Sequence, residues 1–168
     1  MENIEEEVVV IDKEKEELNG IMEYEFNNVK ESGILEYGFE IKTQKKNDYT
    51  KWDMIMKAPD DSDYKGAQYL VEVEFINDYP LNTPKFKFKT PIYHCNVNEN
   101  GELEVDWLGK GMTIDYIMPR LLTLFYLQNP EVNPNSERSK LYKNNIDEFK
   151  KNIKKNVEEE ANKELKFK

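Results

Sequence analysis

The sequence predicts an α+β fold: an N-terminal helix, a four-stranded antiparallel meander, then two to three C-terminal helices. Three observations carry this reading. Apolar residues recur at helical spacing before residue 30, alternate with polar ones between residues 38 and 90, and return to helical spacing after residue 112. Strands grouped in the middle, with helices at either end, indicate a segregated architecture rather than repeated βα units. A chain of 168 residues suits one domain, which at this size buries roughly 70% of its unfolded surface.

The first helix is read in DKEKEELNGIMEYEFNNV, where Leu18, Ile21, Met22, Phe26 and Val29 form an apolar stripe. Asp12 is its expected N-cap, and Gly33 suits the turn that ends it. Residues 1–11, MENIEEEVVVI, are read as an acidic, β-branched tail preceding a single domain at 12–168. The strands follow as GFEIKT, TKWDMIM, AQYLVEVEF and KFKFKT, each alternating, with the turn signals KKND, APDDSDYKG and INDYPLNTP between them. In KFKFK, Phe86 and Phe88 point one way and the lysines the other. Beyond the meander, Leu121, Leu122, Leu124, Phe125 and Leu127 predict an apolar core helix with Pro119 in its first turn, stopped by Asn129-Pro130. The last stretch, from Ser136 onward, is amphipathic. Leu141, Ile146, Phe149, Ile153 and Val157 share a face, and the alternating Lys and Glu residues cover a solvated one.

Composition excludes several classes of function. A formal charge of −10 argues against nucleic acid and anionic membranes as main partners. No apolar run approaches the ~20 residues that span a bilayer, and the acidic N-terminus is unlike a signal or transit peptide. A cytoplasmic or nuclear location is expected. The chain holds one cysteine and one histidine, too few for a structural zinc site and without partners for an intramolecular disulfide. No metal or other cofactor is expected.

That cysteine and histidine are neighbours, in HCNVNENGELEVD at residues 94–106. The motifs leading to this stretch form an ordered set. Trp52 is followed by Pro59, Asp60, Tyr64 and Gly66; then come Phe75, Tyr79, Pro80 and Pro84, and Tyr93-His94 opens the segment. With Asn98 and Asn100-Gly101 behind them, these residues at these spacings resemble the ubiquitin-conjugating enzyme family over roughly residues 12–160. The resemblance implies that family's fold. It also implies its reaction, in which a cysteine thiolate accepts a modifier's C-terminus as a thioester and passes it on. Thiol chemistry suits this because a thiolate is both nucleophile and leaving group.

The departures matter most. Family members read His-Pro-Asn at this point and carry the nucleophile eight residues after the asparagine. Here the motif is His94-Cys95-Asn96, and counting from Asn96 reaches Glu104. A carboxylate there would form an anhydride that water destroys. Cys95 remains an alternative nucleophile, with Asn96 beside it, since autophagy-type relatives carry a cysteine within the corresponding segment. In this chain it occupies the proline's place, one residue earlier, and a one-residue step along an extended segment reverses the side-chain direction. A buried thiol filling that place is the competing explanation. His94 and Asn96 are read as organisers of the loop, and Trp107, just past Asp106, as packing.

Two further features bear on partners. The resemblance implies that the first helix presents basic residues to an activating enzyme, and here lysines are outnumbered by glutamates, which weakens such docking. In the tail, Val8, Val9, Val10 and Ile11 behind Glu5–Glu7 resemble a motif for binding a ubiquitin-like modifier by strand addition, although packing on the protein's own surface, or a lead into the first helix, is the favoured explanation. The expectation is an inactive conjugating-enzyme-like protein that acts as a binding or regulatory module. Its expected partners are ubiquitin or a ubiquitin-like protein, a ligase or an active conjugating enzyme. Two alternatives stay open: an active enzyme using Cys95, and an interaction module unconnected with modifiers.

Overall fold

The computed structural model describes residues 2–167, with side chains from residue 13 onward. Helix α1 (Glu2–Glu31) leads through a 3-10 turn (Ile34–Tyr37) to strands β1 (Phe39–Lys45), β2 (Asp48–Lys57), β3 (Gln68–Glu74) and β4 (Lys85–Phe88). After a long loop come α2 (Ile114–Leu122), a further 3-10 turn (Thr123–Phe125), α3 (Glu137–Asn144) and α4 (Ile146–Asn156), which ends in a π-type turn (Val157–Ala161). The four strands pair in sequence order, all antiparallel. The predicted meander is therefore present, each strand within a few residues of its expected place.

Alternation along the strands places Trp52, Met54, Met56, Tyr69, Val71, Val73, Phe86 and Phe88 in the core. Helix α1 lies against this face through Leu18, Met22, Phe26 and Val29, all buried. Phe26 meets Trp52 edge-on at 5.0 Å, and Trp52 meets Phe75 at 4.7 Å. Such pairs add about 0.5–1.5 kcal/mol each beyond their area burial. The Trp52 indole N–H, buried with its ring, donates to the Tyr49 carbonyl at 2.7 Å, so burial leaves no orphaned donor.

Several expectations need correction. Helix α1 begins at Glu2, so Asp12 is an interior residue and not its N-cap, and no change of element marks the expected boundary after residue 11. Ile21 is 45% exposed at the edge of the apolar stripe. Helix α2 starts earlier than predicted, which puts Pro119 inside it rather than in the first turn. Asp115, whose carbonyl the missing N–H would have bonded, is exposed with Pro119, so solvent can reach that oxygen. The helix also stops sooner. Leu124 and Phe125 lie in the 3-10 turn and are buried, whereas Leu127 is 65% exposed. The C-terminal amphipathic run is broken at Asn145, which leaves helical geometry (φ −153°) and accepts a hydrogen bond from the Glu148 N–H at 3.1 Å, capping α4. Ile146, at the start of α4, is correspondingly exposed.

Candidate functional site

The loop between β4 and α2 is laid along the edge of the sheet. The Phe88 N–H donates to the Gly101 carbonyl at 2.7 Å and the Leu103 N–H to the Phe86 carbonyl at 3.2 Å. Gly101 has φ +83°, and a Cβ there would sit 2.3 Å from the Phe88 carbonyl oxygen, so the tight approach requires glycine. Asn98 holds the turn. Its side-chain oxygen accepts from the N–H groups of Asn100 and Glu102, both at 3.0 Å. The sequence Asn-x-Asn-Gly thus folds as an Asx-type turn for a local reason.

The His94-Cys95-Asn96 segment is buried and anchored to the stretch after α2. The imidazole Nε2 of His94 contacts the Leu124 and Leu127 carbonyls at 2.8 and 3.1 Å, while Nδ1 accepts the Asn96 N–H at 2.9 Å. Only the neutral tautomer with its proton on Nε2 satisfies all three. Burial accordingly drives the His94 pKa down to about 4, despite the two carbonyl bonds that favour the cation. The Asn96 amide is used at both ends. Its Nδ2 donates to the Asn129 carbonyl at 2.9 Å, and its Oδ1 accepts the Asn129 N–H at 2.8 Å.

Two residues that sequence reasoning missed complete this frame. Gln128 accepts the Cys95 N–H at 2.8 Å and donates to the Tyr64 hydroxyl at 2.9 Å, and that hydroxyl donates to the Tyr93 carbonyl at 2.7 Å. Arg138, in the first turn of α3, donates to the carbonyls of Val97 and Ile92 at 2.7 and 3.2 Å and lies over the Tyr93 ring at 5.1 Å. It is one of only two arginines in a lysine-rich chain. That choice of a planar fork over a point charge was the available signal.

Glu104 sits at the expected nucleophile position. Its N–H donates to the Asn96 carbonyl at 2.8 Å, fixing the backbone beside the motif. One carboxylate oxygen accepts from Asn98 Nδ2 at 3.1 Å and the other from Asn133 Nδ2 at 3.2 Å. The half-buried side chain is thus held between two amides, each donating to one of its oxygens. Cys95 is 3% exposed. Burial pushes its thiol pKa up, only partly offset by the Ser139 hydroxyl and the Arg138 guanidinium. A reactive cysteine has the opposite signature, a lowered pKa with solvent access.

The remaining predicted residues fall nearby or outside. Asp106 accepts from Asn129 Nδ2 at 3.1 Å, and half-buried Trp107 packs under Arg120, 5.6 Å from its ring. The backbone of Val8, Val9, Val10 and Ile11 lies within α1, while their side chains fall outside the described residues. Among the described residues there is no group of three or more potential metal ligands, and no helix is long and apolar enough to cross a membrane.

A meander flanked by one N-terminal helix and several C-terminal ones, with a His-x-Asn loop along its edge, defines the class. The family model for ubiquitin-conjugating enzymes matches residues 21–157, and the chain belongs to that family. The probable ubiquitin-conjugating enzyme E2 31 of Arabidopsis thaliana is 33% identical over 110 residues, which cover 63% of this chain and 71% of that protein. The probable ubiquitin-conjugating enzyme E2 L460 of Acanthamoeba polyphaga mimivirus is 36% identical over 107 residues, covering 61% and 68% respectively.

Proposed function

We propose that this member of the family does not carry a modifier as a thioester, and that it serves as a binding or regulatory module in a ubiquitin or ubiquitin-like modification pathway. Its partners are the modifier itself, a ligase or an active conjugating enzyme. The observation that carries the reading is Glu104 at the nucleophile position, with both carboxylate oxygens engaged by Asn98 and Asn133. The burial of Cys95, the chain's one thiol, supports it. The face of α1 adds to it, because residues 13–31 hold six glutamates against three lysines, a poor match for an acidic docking partner.

The test is a charging assay with activating enzyme, ATP and ubiquitin, resolved without reductant. No adduct is expected on the wild type. A reductant-sensitive adduct would overturn the proposal, and its loss in Cys95→Ser would identify Cys95 as the carrier. NMR titration with ubiquitin and with a ubiquitin-like modifier examines the binding role. Saturable shifts are expected for at least one of them, and flat spectra for both would favour an interaction module unconnected with modifiers.

A further inference from the structure

The chain turns sharply between Trp107 and α2, at Gly109-Lys110-Gly111-Met112. Gly111 takes φ +80° there, a conformation that suits glycine. A backbone bond holds one side of the turn: the Gly111 N–H donates to the Pro80 carbonyl at 2.7 Å. The other side is held by a thioether. The Gly109 N–H donates to Met112 Sδ at 3.1 Å, and the Met112 side chain packs against the core. A thioether is a weak acceptor, so the turn rests on a bond that a change at sulfur can remove.

Access to solvent singles out the same residue. Met22, Met54, Met56 and Met118 are at most 1% exposed. Met112 is half-buried, directly after exposed Lys110 and Gly111. Among the described methionines it is the one that a dissolved oxidant reaches, and oxidation of sulfur follows such access. The one thiol, on Cys95, is buried with its pKa raised, so little reactive thiolate competes. The short distance from the Gly109 nitrogen to Met112 Sδ leaves no room for another atom between them. An oxygen added to that sulfur and pointing at the Gly109 N–H pushes the two apart. Pointing away, it leaves the N–H facing a sulfur made electron-poor. Neither arrangement preserves the turn as it stands.

We propose that Met112 is a modification site, oxidised reversibly to the sulfoxide by a hydroperoxide, and that this oxidation displaces the turn at residues 109–112. The sulfur lone pair attacks the outer oxygen of the peroxide. The S–O bond forms as the O–O bond breaks, and sulfur gives up two electrons. The proton on the transferred oxygen moves to the leaving oxygen, which departs as water or an alcohol. A sulfoxide reductase reverses the change, as two thiols become a disulfide and water is released. The turn lies on the loop that carries Glu104 and touches the β3–β4 loop at Pro80, so the modification reshapes that surface while the bonds of His94 and Asn96 stay as they are. The site stands apart from the question of acyl transfer.

The experiment exposes the folded full chain to dilute hydrogen peroxide and follows it by peptide mapping and by amide NMR. Met112 is expected to gain oxygen at least ~10-fold faster than Met22, Met54, Met56 or Met118. The amide resonances of Gly109, Lys110 and Gly111 should move in step with that gain. They should return after treatment with the two methionine sulfoxide reductases, one for each sulfoxide epimer. The Asn96 and Glu104 amides should stay in place. In Met112→Leu, which keeps the apolar contact and lacks the sulfur, peroxide should leave the turn amides where they are. A buried methionine oxidised as fast as Met112 overturns the proposal. So does full oxidation at Met112 with the turn amides unmoved, or an equal peroxide response in Met112→Leu. If Met112→Leu fails to fold, the wild type is compared before oxidation, after it and after reductase treatment. Turn resonances that stay displaced once the sulfur is reduced are then the overturning result.

Discussion

At the scale of single residues, positions 104 and 94 belong to one hydrogen-bonded frame around the His94-Cys95-Asn96 motif. The backbone bond from Glu104 to Asn96, and the two bonds that Asn96 makes to Asn129, do not depend on which side chain stands at 104. His94 belongs to that frame, and its chemistry makes a pH prediction. The imidazole is neutral in the folded protein down to about pH 4, whereas in the unfolded chain it takes a proton near its ordinary value of about 6.5. Between those values the unfolded state binds the extra proton, so stability falls as pH falls from about 6.5 to about 4 and then levels. From this residue alone, about 2 kcal/mol should be lost between pH 7 and pH 5. Urea denaturation at the two pH values measures the loss. His94→Gln, less stable at pH 7, should show a clearly shallower dependence over that interval, and an equal slope in the two proteins would contradict the assignment.

At the scale of elements, α3 holds the loop while α4 buries Phe149 and Ile153 in the core. Arg138 on α3 ties together the carbonyls of Ile92 and Val97 on either side of the motif. Hydrogen bonds to a charged group contribute about 1.5–3 kcal/mol each, and both carbonyls are left without this donor when the guanidinium is removed. Arg138→Ala should therefore cost roughly 2–4 kcal/mol in chemical denaturation. Arg138→Lys should recover only part of it, since an ammonium lacks the fork that reaches both oxygens. A loss below about 0.5 kcal/mol for Arg138→Ala would mean that water replaces the guanidinium without penalty. Asn145, by contrast, was legible in advance. Asn-x-x-Glu at 145–148 has the spacing of a helix-start signal, and it divides what periodicity alone reads as one helix into α3 and α4.

At the scale of the whole molecule, the proposed function predicts that the acidic α1 hinders docking of an activating enzyme even when a cysteine stands at position 104. Glu104→Cys alone should charge slowly or not at all in the ubiquitin assay. Adding Glu16→Lys and Glu17→Lys, both at exposed positions on α1, should raise the charging rate of Glu104→Cys at low salt. The gain should fall away near 0.5 M salt, where the screening length shrinks to about 4 Å. A rate that ignores both the added lysines and the salt would place the obstacle in the loop geometry instead of the docking face. If Glu104→Cys charges rapidly without them, α1 is not the barrier.

The sequence by itself determined the order of the elements, the antiparallel meander and the family. The first two follow from periodicity and turn residues, which are local, and the third from the resemblance of the motifs between Trp52 and Gly101. The family resemblance, by counting from Asn96, also led to Glu104 as the position expected for the nucleophile. Only the tertiary structure decided what surrounds those residues. The bonds of Glu104 to Asn98 and Asn133, the grip of Arg138 on the motif and the burial of Cys95 against α3 join parts of the chain up to some 46 positions apart. The contact of Leu165 with Gln68 spans 97 positions. Local pattern says which way a side chain points within its own element. What meets it there depends on how distant elements pack, and single-chain periodicity carries no record of that.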